Sequence, residues 1–420
     1  MLDLLPGAFS PWLVEAVVRL ATWMPFAQVP AALAFFTRVT IDEDTARRLT
    51  ERAGAALVAS ETAEAARLIA AGPEPPRGPA VQQLSVDGAM VPLVHGEWAE
   101  VKTLAIGTVD HRPQAADAPP AVDPVHTGAL SYFARLADAE HFRDLATVEV
   151  WRRGVGTAGT VCAVMDGAEW LQHFITAHAP EAVRILDFPH AAEHLSTAAH
   201  TALGAGTQAA SDWLGVQLHE LKHGDPDTVL AAVRALAGPP EPPESPESPE
   251  SPGPSALVAA CEAVAQYLEK RRAQIAYAEF QAAGYPIGSG VVESANKLVV
   301  EARLKGSGMH WARPNVDPLL ALRGAACSDR WTETWPQLWG EQRRQVAQRR
   351  GAARARRQPP PPAAPPPPEP GGELPPLILR PSLHPPRPPR IVDGHPTDQH
   401  PWKKFRLLHR RSPAPDTAKT

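Results

Sequence analysis

The chain has 420 residues, enough for two or three domains, and a formal net charge of −5, so any contact with a polyanion must come from local basic patches. Its three cysteines are far apart, which excludes a disulfide framework and argues against a four-ligand zinc site. Because no run of about 18 apolar residues occurs and the start lacks the features of a signal peptide, we expect a cytoplasmic protein without membrane contact.

The first region, residues 1–72, is predicted to be helical because its apolar residues recur at helical spacing. The third predicted helix carries Arg47 and Arg48 on its first turns. A short helix, a tight turn and a basic helix resemble a helix-turn-helix, which predicts DNA binding, although any helical bundle gives the same pattern. Proline and glycine at 73–80 then predict a linker.

The middle of the chain alternates between predicted strands and helices. The helices are predicted at 128–154, 169–178 and 190–203, and the strands at 81–90, 98–109, 160–165 and 182–186. The continuous hydrophobicity of the two last strands indicates that both of their faces are covered. This order predicts an α/β fold with a sheet flanked by helices.

Acidic residues are predicted to end three of these strands, namely Asp87, Asp166 and Asp187. In open α/β sheets the ligand site lies at the carboxyl ends of the strands, so at least two of the three are expected to share a site. A single aspartate in such a position is often a turn former or a helix cap instead.

A glutamate, Glu293, stands in the first turn of a helix that follows a glycine-rich turn. It is separated from the predicted sheet by residues 204–283, which are mainly helical and contain a Pro/Glu/Ser repeat at 238–255 that is predicted to be disordered. Lys297 lies four residues further on, so a solvated Glu293–Lys297 ion pair is the simple alternative to a ligand role.

The C-terminal third begins with the segment 284–340, which contains tryptophans at helical spacing that indicate a core stripe. Residues 341–358 hold seven arginines against one glutamate, a run that favours a polyanion contact. Residues 359–420 are predicted to be a Pro-rich disordered tail.

Carboxylates that converge at a sheet edge repel one another unless a cation lies between them. A site with oxygen ligands and no Cys/His cluster selects Mg²⁺ or Mn²⁺. Two such ions activate water or a 3′-hydroxyl in phosphodiester chemistry, which needs no nucleophilic side chain. The acids therefore predict a metal-dependent phosphodiester reaction.

An ordered series of segments resembles bacterial insertion-sequence transposases of the ISKra type, members of the Mutator-like group of DDE transposases. The segments are LSVDGAM at 84–90, WAEVK at 98–102, DGAEW at 166–170, ILDFPHAAEHL at 185–195, GYPIGSGVVESANK at 284–297 and RLKGSGMHW at 303–311. The resemblance covers most of residues 8–340. It implies an RNase H-like core (a mixed sheet flanked by helices) built from 81–203 and 284–340, with 204–283 as an all-helical insertion.

By position, the resemblance implies that Asp87, Asp166 and Glu293 are the catalytic acids and metal ligands. Asp187 and His190 match the Asp-x-x-His motif of the group, with Asp187 as the alternative second ligand. His190 and His194 are one helical turn apart and are expected to orient a carboxylate, to contact a phosphate or to bind a metal.

The resemblance also implies a function: Mg²⁺- or Mn²⁺-dependent cleavage at insertion-sequence ends and strand transfer into target DNA. The implied partners are the terminal inverted repeats, the target DNA and further copies of the chain on DNA, in a nucleoid-associated protein of the bacterial cytoplasm. The basic residues expected to contact phosphates are Lys297, Arg303, Lys305 and Arg313.

One departure from the family affects the start of the chain. Members carry a short cysteine-containing segment upstream of the Met1-Leu2-Asp3 start, so the N-terminus is expected to be shortened. The alternatives to a transposase are a Mg²⁺-dependent nuclease without strand transfer and a shortened, inactive DNA-binding derivative.

Overall fold

The computed structural model of the chain describes residues 9–111, 125–237, 254–357, 391–392 and 395–396. It divides into a large unit, Met1–Arg357, and a small unit, Gln358–Thr420. The described part of the small unit is a pair of two-residue antiparallel strands, Ile391–Val392 and His395–Pro396. The rest of the predicted tail, and most of the Pro/Glu/Ser repeat, lie outside the described residues.

A five-stranded mixed sheet forms the centre of the large unit. Its strands, in chain order, are β1 Val81–Pro92, β2 Trp98–His111, β3 Val125–Arg135, β4 Thr160–Met165 and β5 Val183–Leu186. The order across the sheet is β3-β2-β1-β4-β5. The central part of the chain pairs β1 with β2 and β2 with β3 in antiparallel fashion, whereas β1 with β4 and β4 with β5 are parallel pairs. This architecture is the predicted mixed sheet flanked by helices and is compatible with an RNase H-like core.

Helices account for most of the remaining described residues. They are α1 Pro11–Trp23, α2 Val29–Thr37, α3 Glu43–Ala71, α4 Ala139–Arg152, α5 Glu169–His178, α6 Phe188–Leu203, α7 Gln208–His223, α8 Pro226–Leu236, α9 Pro254–Glu269, α10 Tyr277–Ala282, α11 Gly290–Ala295, α12 Ala302–Leu304, α13 Val316–Cys327 and α14 Trp331–Arg357. A π-helical segment, Asn296–Glu301, joins α11 to α12. None of the described helices is long and apolar enough to cross a membrane.

The two faces of the sheet bury different sets of helices. One face packs against α4 and α5, for example where Leu84 and Val86 belong to the same buried cluster as Phe142. On the other face, α1, α13 and the α11–α12 helix cover the β1–β3 half. The helices between α6 and α10 cover the β4–β5 half of that face. The predicted helical insertion is therefore packed directly on the sheet.

The predicted helix at 128–154 is wrong in its first part, because residues 125–135 form β3 and α4 begins at Ala139. Every residue from Ser131 to Arg135 is buried, so the alternation that marks a half-exposed strand is missing. The chance spacing of Leu130, Phe133 and Leu136 then imitates a helix.

The tryptophan stripe is part of the core, as predicted. Trp331, Trp335 and Trp339 stack on one another along α14, and the first two are buried. They belong to one cluster with apolar residues of α1, α3 and α13. The N-terminal helices are thus packed against the end of the sheet-bearing unit.

A fully buried carboxylate, Glu149 on α4, connects this helix to the start of α14. Its two oxygens contact Arg330 at 2.5 Å and Arg152 at 2.8 Å. Burial by itself raises the pKa of Glu149, but the two guanidinium groups outweigh it, so the pKa is lowered. The ionised form is therefore the one that the fold stabilises.

We expect Glu149→Gln to lower the free energy of unfolding at pH 7 by about 3–5 kcal/mol, because it leaves two arginines without their buried partner. Since the folded-state pKa is lowered, the contribution is complete above the unfolded pKa and is lost as the pH falls through the folded one. The difference between the two proteins in urea unfolding should therefore shrink below about pH 4.

Glu64→Gln is the matched control, because Glu64 pairs with Arg67 on the exposed surface of α3. It should change the free energy of unfolding little at any pH. An equal loss in both variants would contradict the role of Glu149.

Candidate active site

The strand register brings three aspartates into one row on one face of the sheet. Leu84 on β1 is opposite Ala163 on β4, so three residues further on Asp87 is level with Asp166. Met165 is opposite Leu186 on β5, so Asp166 is level with Asp187. Neighbouring strands lie about 4.8 Å apart, and side chains in one row point to the same face.

Asp87 does not end its strand, contrary to the prediction. It lies inside β1, which continues to Pro92 because β2 remains paired with it there. The neighbouring strand β4 is shorter and ends at Met165, directly before Asp166. β1 therefore extends beyond the edge of the sheet at which Asp166 lies. The aspartates therefore meet at one edge even though only two of them follow a strand end.

A cavity of about 210 Å³ opens over this row. The helix α11 and the start of α6 complete its wall with Glu293, Glu193, Ser289 and His190. Five of the lining residues are carboxylic acids: Asp87, Asp166, Asp187, Glu193 and Glu293. The structure thus brings together the three acids predicted as catalytic and the alternative, Asp187.

Asp87 is held by two donors. One oxygen accepts a 2.7 Å hydrogen bond from the N–H of Gly88, and the other accepts a 2.8 Å bond from the side-chain amide of Asn296. Burial raises the pKa of the Asp87 carboxyl, and the nearby Asp166 and Glu293 carboxylates raise it further, although the Gly88 N–H acts in the opposite direction. A cation in the cavity would offset this repulsion.

Asp166 begins a tight turn that the insertion helix α9 fixes from outside. One carboxylate oxygen accepts a 2.8 Å hydrogen bond from the N–H of Ala168. The hydroxyl of Tyr267 donates to the backbone oxygen of Asp166, and Arg271 donates to the backbone oxygen of Gly167, both at 2.8 Å. The second carboxylate oxygen of Asp166 has no hydrogen-bond donor among the described residues.

Asp187 uses both of its oxygens within the fold. As the N-cap of α6 it accepts a 3.1 Å bond from the N–H of His190, and its other oxygen accepts a 2.6 Å bond from the N–H of Ser289. The side chain is buried, and burial raises its pKa although both N–H donors act in the opposite direction. Asp187 therefore connects the start of α6 to the turn before Glu293.

Glu293 is exposed on the first turn of α11, and its nearest described donor is the hydroxyl of Ser289 at 3.5 Å. Lys297 is also exposed, but none of the ion pairs among the described residues joins it to Glu293. The simple alternative of a surface ion pair is therefore absent from this conformation, and the Glu293 carboxylate is open to the cavity.

The two histidines differ in their surroundings. His190 lines the cavity, and its ring centre is 5.0 Å from that of His194. The rings of His194 and Tyr267 are stacked with their centres 3.8 Å apart. The guanidinium group of Arg271 lies over the same tyrosine ring, 3.8 Å from its centre. Burial lowers the pKa of His194, and the neighbouring His190 and Arg271 lower it further. His194 is thus a packing residue, and only His190 faces the acids.

The donor set suits a hard cation, since the cavity is lined by carboxylate oxygens and holds no thiol. In this conformation no three His, Cys, Asp or Glu side chains among the described residues are gathered closely enough to form a metal-binding group. The acids therefore fit Mg²⁺ or Mn²⁺ in kind, but they would have to move together to share an ion.

The basic residues predicted to contact DNA differ in their surroundings. Lys297 and Arg313 are exposed, and no hydrogen bond or ion pair is found for their side chains among the described residues. Arg47 and Arg48 both pair with Asp44 on the first turn of α3. Lys305 pairs with Glu301 at 2.7 Å.

Arg303 differs from the prediction, because its guanidinium group is buried. It donates a 3.0 Å hydrogen bond to the backbone oxygen of Ala21 and lies over the rings of Phe26 and Trp311. Burial lowers its pKa to about 10. Arg303 therefore fastens α12 to the N-terminal helices and has no surface for a phosphate.

Three residues that the sequence prediction missed support the acids: Asn296, Tyr267 and Arg271. Asn296 carried a usable signal, because it lies three residues after Glu293 and thus on the same side of the helix. Tyr267 and Arg271 carried none, since their contacts to the Asp166 turn span about a hundred residues of sequence.

Comparison with known proteins adds little. No protein-family model and no curated protein sequence matches the chain. Among solved structures it is similar to the Drosophila P element transposase strand transfer complex, with a TM-score of 0.33 and 9% sequence identity over 79% of this chain and 94% of that chain. A likeness of this size carries over neither fold nor function.

The different partners of Asp166 and Asp187 predict opposite behaviour of their amide variants. Asp166→Asn should keep the thermal stability but lose the increase in melting temperature that saturating Mg²⁺ gives, because a ligand is removed. Asp187→Asn should lower stability by about 1 kcal/mol or more, because an amide has one acceptor oxygen where two N–H groups donate and one buried donor loses its partner, yet it should keep the Mg²⁺ effect. Thermal unfolding with and without Mg²⁺ measures both.

Glu193→Gln is the control for charge in the cavity, because its side chain is 80% exposed. Glu193→Gln should change neither the thermal stability nor its increase with Mg²⁺ appreciably. Loss of the Mg²⁺ effect in Asp187→Asn together with its retention in Asp166→Asn would reverse the assignment.

Proposed function

We propose that the chain is a DNA transposase of the DDE type, which cleaves DNA at the ends of an insertion sequence and transfers the strand into target DNA. The observation that carries the proposal is the convergence of Asp87, Asp166 and Glu293 on one cavity at the edge of the sheet. The six segments that resemble ISKra-type transposases support it independently, because they contain these three acids.

In this proposal Asp87, Asp166 and Glu293 hold Mg²⁺ or Mn²⁺. When bound, two such ions activate water or a 3′-hydroxyl and stabilise the leaving oxygen of a phosphodiester. Asn296 orients the carboxylate of Asp87 through its 2.8 Å hydrogen bond. Asp187 and the α9 residues fix the two turns from which Asp166 and Glu293 project.

The DNA would run along the surface beside the cavity. Lys297 is exposed one helical turn after Glu293, and Arg313 is exposed further along the chain, so both are proposed to contact phosphates. Arg47, Arg48 and Lys305 would have to exchange their present carboxylate partners for phosphates. The N-terminal helices α1–α3 are the proposed binding region for the terminal repeats, with several copies of the chain assembling on DNA in the bacterial nucleoid.

The decisive substitutions are Asp87→Asn and Glu293→Gln. Each should reduce Mg²⁺-dependent cleavage of a duplex that carries the element end about a thousandfold or more, because residues of one catalytic unit fail together. Binding of the same duplex, measured by fluorescence anisotropy, should remain. The end sequence for this duplex is to be sought in inverted repeats on either side of the gene.

Glu193→Gln serves again as the control, since it removes a carboxylate from the same cavity without touching the three acids, and it should cut normally. If Asp87→Asn or Glu293→Gln still cuts the ends in Mg²⁺, the assignment of the acids is wrong.

A second assay separates the proposal from its alternatives. Supplied with a pre-cleaved 3′ end, a transposase joins this end to a target duplex, whereas a nuclease without strand transfer leaves both unjoined. A wild-type protein that binds the ends but neither cuts nor joins them would be the inactive DNA-binding derivative.

A further inference from the structure

Three arginines converge on a second cleft at the opposite end of the sheet. The cleft has a volume of about 420 Å³ and is lined by Arg77, Gly78, Pro79, Arg152 and Arg153. Arg77, Gly78 and Pro79 come shortly before β1, whereas Arg152 ends α4 and Arg153 follows it. Asp87 lies eight residues beyond Pro79 along an extended strand, so the cleft is about 26 Å from the carboxylate cavity.

The segment that carries Arg77 is held rigidly, although the sequence predicted a linker at 73–80. The N–H of Gly78 donates to the hydroxyl of Thr157 at 2.8 Å, and the Trp151 indole donates to the backbone oxygen of Pro73 at 3.2 Å. Gly154 has a φ of +63°, and a Cβ there would lie 2.4 Å from the backbone oxygen of Pro76. This close approach fixes Arg77 beside the end of α4.

The dipole of α4 explains the position of two of the arginines but not that of Arg77. Arg152 and Arg153 stand at the C-terminus of α4, where cations stabilise the helix dipole. Arg77 comes from a separate segment and has no hydrogen bond or ion pair among the described residues. The helix dipole therefore does not account for its place in the cleft.

Positive charge in and behind the cleft exceeds the negative charge. Glu149 is shared between Arg152 and Arg330, so one carboxylate serves two guanidinium groups. Arg153 donates to the backbone oxygen of Ala129 at 2.8 Å, but its Nε is buried without a partner. Burial lowers the pKa of Arg153 and the charge of Arg330 lowers it further, although Glu149 opposes both. The site thus has unused donors and unbalanced charge.

We propose that this arginine cleft (Arg77, Arg152 and Arg153) is a binding site for a phosphate group. Guanidinium groups match phosphate oxygens with paired, charge-assisted hydrogen bonds. The contacts around Gly78 hold the backbone of Arg77 beside the cleft before the ligand arrives. The phosphate belongs to the backbone of a DNA duplex that also reaches the carboxylate cavity; this source, but not the phosphate chemistry, rests on the proposed function.

The test uses the full-length protein and a labelled duplex, with binding measured by fluorescence anisotropy at several salt concentrations. Arg77→Ala should weaken binding about tenfold and reduce the slope of log K against log salt by about one, because one phosphate contact is lost. Arg77→Ala/Arg153→Ala should weaken it further. The readout is binding and not cleavage, so a failure at the cleft is distinguishable from a failure of the acids to cut DNA.

Arg234→Ala is the matched control, because Arg234 is an exposed arginine that pairs with Glu269 on the insertion helices. It should bind the duplex normally. Arg77→Ala keeps the test independent of folding, since this side chain is exposed and makes no contact that the fold requires among the described residues.

A second arm identifies the source of the phosphate by titrating inorganic phosphate and following the melting temperature. If Arg77→Ala abolishes the stabilisation by phosphate but leaves duplex binding unchanged, the cleft binds a small phosphate ligand and the DNA source is wrong. If Arg77→Ala and the double variant match the wild type in both arms, the cleft is not a phosphate site and the proposal is overturned.

Discussion

Gathering five carboxylic acids in one cavity costs free energy, because Asp87 and Asp187 lose water and neighbouring acids repel one another. The raised pKa of Asp87 reports this cost. The fold offsets part of it by giving hydrogen-bond donors to the acids: an asparagine amide to Asp87 and two backbone N–H groups to Asp187. Such donors hold the carboxylates in place but do not neutralise them, so the arrangement remains suited to a divalent cation.

The helical insertion is part of this arrangement and not an appendage. Gly167 has a φ of +84°, and a Cβ there would collide with Arg271 and with the hydroxyl of Tyr267. The turn after Asp166 is therefore pressed against α9, with Arg271, Tyr267 and His194 layered on one another beyond it. Because Tyr267 and Arg271 bind backbone oxygens of this turn, they fix where Asp166 stands without lining the cavity themselves.

Local patterns predicted the apolar strands β4 and β5, the helical insertion and the acids that meet at one edge. They failed where tertiary contacts decide the outcome. β3 is covered on both faces, so it lacks the alternation of buried and exposed residues that marks a strand. β1 continues past Asp87 because β2 remains paired with it there. Arg303 was predicted to be an exposed phosphate contact because it lies in a basic segment, yet aromatic rings bury its side chain. The metal-binding role of the acids stays a prediction, as does each proposed DNA contact.

The common row of Asp87, Asp166 and Asp187 also limits how the length of such a chain can change during evolution. A strand side chain changes face with every single-residue step, so inserting or deleting one residue in β1 or β4 would turn its acid towards α4 and α5. Insertions and deletions outside the strands do not change the face of the sheet to which an acid points. Divergence in length is therefore expected to accumulate between the strands, while the spacing within them is inherited unchanged.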